Sequence, residues 1–432
     1  MSSINPTSTI SLPPELLERV GDFLDLPDHL SLRQTCIYLC NSTLRPFAKS
    51  AFQTIRTDLS HQSFLRLDRV SSHPVFAPYI EVLVIRKPTR DATLGFGFHW
   101  HRHRASQYTA SQLHLSSHGA RSWYRVLQRL PNCRTLRVPF RDRHEVHLLD
   151  MVQYIGYDGA ALTASDAVNL FLSFASRARR GLKELRLELR SESIYRGMQD
   201  LPGLLALPVN CPRFVAAVST LETVHLSGCF PTTSHADAVH GLVAGAGEGL
   251  RSLTVKGQED DYAVHFVNRL LEDCVGASAM PFRLQSLSLH HLSMLNGHAL
   301  EKFLSLSAPH LRHLTLSNIV LAPGHPQTDN NNDDDEDDTG TKTWPSILET
   351  IRDSMSSPNG HLESISLFDL EGVPGYIMLF LDLDDPDNTG ERETVLTMRF
   401  WSEACVGVSY EGELMDRALA RIAALARRYR FQ

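Results

Sequence analysis

The stretch Leu250-Arg251-Ser252-Leu253-Thr254-Val255 carries the pattern on which the fold turns, L-x-x-L-x-L, with its last two apolar residues separated by one polar residue. That two-residue period belongs to a strand with one buried face. The pattern returns at Ile80-Leu83-Ile85, Cys133-Leu136-Val138, Leu182-Leu185-Leu187, Leu221-Val224-Leu226, Leu284-Leu287-Leu289, Leu311-Leu314-Leu316 and Leu362-Ile365-Leu367. Eight occurrences make a repeat, and the repeat sets the architecture before any single motif does.

Working outward from the strands, helical stretches precede several of them: Ser122 to Leu130, Asp166 to Arg179, His235 to Ala244, Tyr262 to Val275, Asn296 to Ser305 and Pro345 to Met355. Leu170, Phe174 and Ala178, like Phe266, Leu270 and Cys274, keep the four-residue spacing of an apolar helix stripe. Helix then strand, repeated, means parallel strands joined by crossovers. Successive units start 53, 49, 39, 29, 34, 27 and 51 residues apart. Only the middle of the array approaches the roughly 20 to 29 residues of a leucine-rich repeat, so the excess falls in insertions at 86–118, 139–165, 190–218 and 322–343. Residues 324–342 hold the run DNNNDDDEDD, which is too charged to offset its ordering entropy by burial and is expected to be disordered. Beyond the repeats, Val395 to Phe400 and Cys405 to Tyr410 read as strands. Glu413 to Tyr429 reads as an amphipathic helix with Met415, Leu419, Ile422, Leu425 and Tyr429 on one stripe, a cap for the open end of the array. Arg417, Arg421, Arg427, Arg428 and Arg430 sit on its polar side, where cations near a helix C-terminus are favoured.

Ahead of the repeats lies Leu12 to Ile55, LPPELLERVGDFLDLPDHLSLRQTCIYLCNSTLRPFAKSAFQTI. Pro13 and Pro14 suit a first helical turn, where the missing amide hydrogens would have no partner, and Glu15 suits the positive end of the helix dipole. Leu16, Val20, Phe23 and Leu24 recur at helical spacing. Leu26-Pro27-Asp28 breaks that helix and offers Asp28 as the next N-cap; Leu30, Leu32, Cys36, Leu39 and Cys40 then continue on a second run. Three short helices in some forty residues bury too little to stand alone, which points to a partner.

Leu12-Pro13, Glu15, Val20, Leu24, the Leu26-Pro27-Asp28 break, Leu30, Leu32 and Cys36 resemble the F-box, the motif that docks a protein onto the Skp adaptor of SCF-type cullin-RING ubiquitin ligases. Phe52, Ile55, Pro74, Pro78-Tyr79-Ile80 and Leu83 are similar to its fungal version, in which a helical stretch leads into a first strand. In the family a basic residue often follows the cysteine; here Ile37 and Tyr38 stand there. The resemblance implies that Leu12, Pro13, Leu16, Val20, Leu24, Leu26, Leu30 and Leu32 meet the Skp adaptor. An N-terminal helical hairpin packed on the repeats is the plain alternative.

Composition excludes several classes. No run of about eighteen apolar residues marks a membrane-spanning helix, and MSSINPTST lacks the charged and apolar regions of a secretory signal. Seven scattered cysteines without a C-x-x-C pair fit buried thiols in a reducing cytoplasmic or nuclear setting. Net charge is −7 (42 basic against 49 acidic), and residues 329–338 alone hold seven acids, so the remainder balances at zero and no nucleic-acid-binding excess exists.

No constellation argues for catalysis. His99, His101 and His103 would align in an extended segment, but two neighbouring arginines disfavour a cation, and a mobile polar loop is expected. Asp382, Asp384, Asp385 and Asp387 are interrupted by Pro386 and lack calcium-loop spacing, so they read as a solvent turn. Gly245, Gly247 and Gly249 fall between helix and strand, the reverse of a phosphate loop, and read as a helix end and turn. G-x-S-x-G, G-x-x-x-x-G-K-S/T and H-E-x-x-H are absent.

The residues between the apolar strand positions would form an outward strip rich in Ser, Thr and His. Arg186, His225, Thr254, Ser288, Thr315 and Ser366 are its candidate target-binding residues. The expected fold is α/β: an N-terminal three-helix F-box followed by an irregular leucine-rich-repeat (helix-strand) solenoid. Its expected divisions are 1–10 a disordered tail, 11–56 the F-box, 57–79 a helical linker, 80–394 the solenoid and 395–432 the cap. The expected function is a non-catalytic substrate adaptor of an SCF-type ubiquitin ligase, binding a Skp-type adaptor and through it the cullin-RING ligase, with an unknown protein target and no metal, cofactor, nucleic acid or membrane. The alternatives are a leucine-rich-repeat interaction scaffold with no role in ubiquitylation and an enzyme hidden in the insertions.

Overall fold

The computed structural model describes residues 12–86, 94–100, 102–103, 112–113, 118–141, 162, 164–178, 181–190, 211–228, 230, 232–257, 262–276, 282–322, 343–355, 362–373, 376–377, 397–401, 404–411, 415, 418–419 and 422. They fall in two compact units, one within Met1–Arg102, Leu113–Arg137 and Tyr157–Leu162, the other within His103–Gln112, Val138–Gly156 and Thr163–Gln432.

The first unit opens with four helical segments, where three were expected: α1 (Pro14–Asp22), α2 (Leu26–Thr35), α3 (Ile37–Ser42) and α4 (Leu44–Phe52). The extra break is at Cys36, whose extended backbone (φ −157°, ψ 161°) separates α2 from α3. The cap of α2 is also one turn earlier than expected. Asp25 accepts the Asp28 amide at 2.9 Å, which places Leu26 and Pro27 inside the first turn, where a proline loses no hydrogen bond. A strand that the repeat pattern does not mark, β1 (Thr54–Thr57), comes next, then α5 (His61–Ser72) and a 3-10 turn (Ala77–Tyr79). β2 (Val82–Ile85) runs parallel to β1, with Ile55 beside Leu83.

Next come two short paired strands, β3 (Arg102–His103) and β4 (Gln112–Leu113), then α6 (His118–Gln128) and β5 (Thr135–Arg141), whose Leu136 aligns with Leu83 of β2. The stretch expected to be a polar loop holds core residues. Phe98 and Trp100 are buried, the Trp100 indole donates to the Gly95 carbonyl at 2.9 Å, and Phe64 meets both Phe98 and Trp123 edge-on. Aromatic area outweighs the polar composition around it.

The second unit repeats helix and strand. In order these are α7 (Ala164–Ala178), β6 (Glu184–Arg190), α8 (Pro212–Val218), β7 (Thr223–Ser227), α9 (Thr233–Ala244), β8 (Ser252–Lys256), α10 (Ala263–Gly276), β9 (Ser286–Leu295), α11 (Gly297–Ser307), β10 (His313–Leu321), α12 (Trp344–Met355) and β11 (Ser364–Val373). Each of the six helices expected ahead of a strand is present within a few residues, α6 of the first unit among them. α8 is additional, inside a stretch expected to be an insertion, where Phe214, Ala217 and Val218 are buried. β6 to β11 are parallel neighbours in sequence order, and Leu185, Val224, Leu253, Leu287, Leu314 and Ile365 lie in one register row. These residues and their partners two positions on are buried, and burying one such side chain is worth about 1.5–3 kcal/mol.

At the far end the chain reverses. After the short β12 (Tyr376–Ile377), β14 (Ala404–Glu411) pairs antiparallel with β11, and β13 (Thr397–Trp401) pairs antiparallel with β14. Met415, Ala418, Leu419 and Ile422 are buried, matching three positions of the expected cap stripe. The sheet of this unit is open, with strand order β6-β7-β8-β9-β10-β11-β14-β13. The acidic run at 329–338, the Asp382–Asp387 stretch, His101 and the arginines from Arg417 onward lie outside the described residues.

β9, β10 and β11 continue past the end of the expected pattern by one shared device. His291, Asn318 and Asp369 are left-handed (φ 53°, 52° and 52°), and Ser317 beside His290 and Phe368, with Ile319 beside Leu292 and Leu370, puts all three in register. One residue in that conformation shifts the inward-outward phase by one, so Leu292, Ile319 and Leu370 face the core again. Asn, Asp and His are the side chains other than glycine that tolerate it best.

Candidate functional site

Two surfaces carry the predicted site residues, one on each unit. On the first, α1 turns Leu17 and Gly21 inward, and Gly21 has no room for a side chain because an added Cβ would stand 2.8 Å from the Pro46 ring. Away from that side, α1 presents Leu16 and Val20, and the residues flanking it add Leu12 and the C-cap Phe23, at spacings of four, four and three along the chain and all exposed; α2 adds Leu26 and Leu30, and α3 adds Ile37 and Tyr38. Phe23 is 90% exposed and Ile37 80%, against 48% for Leu16 and 45% for Val20. Residues 12–38 thus hold eight of the fourteen exposed large hydrophobic side chains among the described residues, a concentration that scattered surface apolar residues do not produce.

The face is held by polar contacts beneath it. The Tyr38 hydroxyl donates to the Leu12 carbonyl at 2.6 Å and ties α3 to the start of α1. The Arg33 guanidinium lies 4.3 Å from the Phe47 ring centroid and donates to the Cys40 carbonyl at 2.5 Å. Phe47, Phe52, Phe76 and His73 then form a chain of ring contacts, with Phe52 on Phe76 at 4.6 Å and His73 on Phe76 at 3.9 Å. Of the predicted adaptor residues, Leu12, Pro13, Leu16, Val20, Leu26 and Leu30 are exposed, while Leu24 and Leu32 are half-buried. Phe23 and Ile37 were not among the predicted residues. The Leu12, Leu16, Val20, Phe23 spacing was the signal for Phe23; Ile37 carried none beyond its departure from the family pattern.

On the second unit, Arg186, His225, Thr254, Ser288, Thr315 and Ser366 are Cα partners from strand to strand, a single half-buried row running across β6 to β11. Adjacent members are one strand spacing apart, about 4.8 Å. Two residues on, Glu188, Ser227, Lys256, His290, Ser317 and Phe368 make a second row; two residues back, Glu184, Thr223, Ser252, Ser286, His313 and Ser364 make a third. Burial first, then the neighbouring Lys256, His291 and His225, push the His290 imidazole down to about 4. At neutral pH it is an uncharged ring with one donor and one acceptor nitrogen.

No family model matches the chain, and no curated protein matches it. Among the described residues no group of three or more His, Cys, Asp or Glu side chains is placed to hold a metal ion, and no helix is long and apolar enough to cross a membrane. His99 is exposed beside the buried Trp100. Gly245 ends α9 as its C-cap, followed by the turn Gly247–Gly249 and then β8.

Proposed function

We propose that the chain is a substrate-recognition adaptor of an SCF-type ubiquitin ligase: the helical face of α1 to α3 docks a Skp-type adaptor, and the strand face of β6 to β11 holds a protein target. One observation carries the reading, the exposed apolar side chains concentrated on three consecutive short helices. A side chain such as Phe23, 90% exposed, gains nothing for the isolated chain's stability and gains about 1.5–3 kcal/mol when a partner covers it. Burial of Leu17, Gly21, Pro46 and Ala48 on the inner side supports the same division between a face that folds the helices and a face left for a partner. The chain contributes no catalytic group; its contribution to rate is proximity, by making attack of a target lysine on a ubiquitin-charged enzyme effectively intramolecular.

The test exploits the exposure. Leu16→Ala with Val20→Ala removes apolar area from the outer face only, so the thermal midpoint is expected to change little, since surface substitutions stay within about 0.5 kcal/mol. Pull-down of a purified Skp-type adaptor by the intact chain, and its loss in the double variant, is the expected result. An intact chain that captures none overturns the ligase reading. Adaptor binding without turnover of any bound protein favours the scaffold reading instead.

A further inference from the structure

The twelve outward positions on β7 to β10 hold one ammonium, three imidazoles, eight hydroxyls and no carboxylate. The ammonium and two of the imidazoles converge at one end of the middle strands. Lys256 and His290 are Cα partners, and His225 stands one strand over from Lys256 and two residues back, with Thr254 beside it. Gly257 fixes this approach, because an added Cβ there would stand 2.2 Å from the His291 carbonyl oxygen, so β8 leaves the row pressed against β9. Lys256 is exposed, and the hydroxyls of Thr254 and Ser288 lie next to it in the adjacent row. On the flanking β6, Arg186 is the Cα partner of His225, and it stands between Glu184 and Glu188 with its guanidinium 3.6 Å from the Glu184 carboxylate; β11 carries Asp369.

We infer that Lys256, His290 and His225 form the anchor of the target-binding face and hold a single carboxylate, an Asp or Glu side chain of an extended segment of the bound protein. Only the identity of the occupant rests on the substrate-adaptor reading. A carboxylate fits better than a phosphate on two counts. The permanent charge at the centre is one, matching a monoanion, and the nearest arginine, Arg186 beside His225, is already paired with Glu184 at 3.6 Å, so β7 to β10 offer no free guanidinium for the bidentate grip that phosphate favours. A run of carboxylates fits worse still, since it would extend toward Glu188 or Asp369. The ammonium supplies the charge, while imidazole N–H groups and hydroxyls supply the remaining donors, as hydrogen bonds to an ionised acceptor require. His290 is depressed first by its burial and then by Lys256, its own neighbour His291 and His225, so the positive potential at the site is the smaller part of that shift. Glu259, Asp260 and Asp261, which come after Lys256 in the sequence, lie outside the described residues.

The experiment uses the full chain with labelled histidine, monitored by imidazole NMR signals assigned through His290→Asn and His225→Asn. The probe is the capped peptide acetyl-Gly-Gly-Glu-Gly-Gly-amide, with its Gln and phosphoserine counterparts as the other arms. The Glu peptide is expected to move both signals and raise the His290 midpoint above 4, because a bound anion favours the charged ring. The Gln peptide is expected to move neither, Lys256→Gln to weaken the response by about tenfold or more, tenfold being about 1.4 kcal/mol, and Lys256→Arg to restore most of it. Equal shifts with the Gln peptide, or a response untouched by Lys256→Gln, overturn the site; tighter binding of the phosphoserine peptide overturns its assignment to a carboxylate. Loss of response when Glu259, Asp260 and Asp261 are changed to Gln and Asn also overturns it. A chain that binds the Glu peptide but no Skp-type adaptor keeps this site and loses the ligase reading, so the two failures are distinct.

Discussion

His29 is fully buried under α1 and α4, its ring 6.3 Å from the Phe47 centroid, and neither of its nitrogens has a hydrogen-bond partner. A buried polar group left unpaired costs about 1–3 kcal/mol, whereas an apolar group of similar size in the same place costs none of it. His29→Leu is therefore expected to stabilise the first unit by about 1 kcal/mol, read as a rise in the midpoint of thermal or denaturant unfolding with the m-value unchanged. A fall in the midpoint would mean that the ring's shape against Phe47 matters more than its two unpaired nitrogens. Nothing in the local pattern marks this residue, because a His between Asp28 and Leu30 in a short polar helix reads as surface. Its burial comes from Gly21, which lets α1 approach α4 until Pro46 and the His29 ring close over it. The cap of α2 shows the same blindness at one-turn resolution. Asp25 and Asp28 are chemically identical candidates, and only the backbone decides that Asp25 accepts the amide.

Among the elements, the strands were the most legible part, since alternation of Leu253 with Thr254 or Leu287 with Ser288 is a direct print of which face is buried. The continuations of the strands beyond Leu289, Leu316 and Leu367 were not legible. The left-handed residue is His in β9, Asn in β10 and Asp in β11, three different letters for one conformation, and its phase shift hides the second inward set, Leu292, Ile319 and Leu370, from any period-two reading. α1 was legible as a helix and illegible as a surface. An apolar stripe is written in the same residues whether it faces its own core or a partner, and Leu16, Val20 and Phe23 prove to be exposed. The strand device is open to test at Asn318, which also lies with its side-chain nitrogen 3.0 Å from His291 Nδ1. Asn318→Val forces a β-branched side chain into left-handed backbone, at a cost of about 1–2 kcal/mol, whereas Asn318→Gly relieves the backbone and gives up only the side-chain contact. The valine variant is expected to unfold at clearly lower denaturant than the glycine variant. Equal midpoints would mean that the side-chain contact, and not the backbone conformation, holds the three strands in step.

At the scale of the whole molecule, charge and apolar exposure set its behaviour in solution together. The formal charge of −7 equals the seven acids of residues 329–338, so the rest of the chain sums to zero, and a protein near zero net charge loses the repulsion that keeps copies apart. The same chain exposes Leu12, Leu16, Val20, Phe23, Leu26, Leu30, Ile37 and Tyr38 on neighbouring short helices, the kind of surface through which copies associate when no partner covers it. Changing the seven acids of 329–338 to Asn and Gln, which brings the count to 42 against 42, is expected to lower the solubility limit near pH 7 and to produce concentration-dependent association in light scattering at low salt. Adding Leu16→Ser and Phe23→Ser to that variant is expected to reverse most of the association while leaving the unfolding midpoint in place, because both side chains are exposed. If the neutralised chain stays as soluble as the original, the acidic run is not what keeps the copies apart. If it associates but the serine changes do not rescue it, the contact runs through another surface and the helical face has no special tendency to be covered. Rescue by serine, together with loss of adaptor capture in the same variant, would tie both behaviours to one patch of side chains.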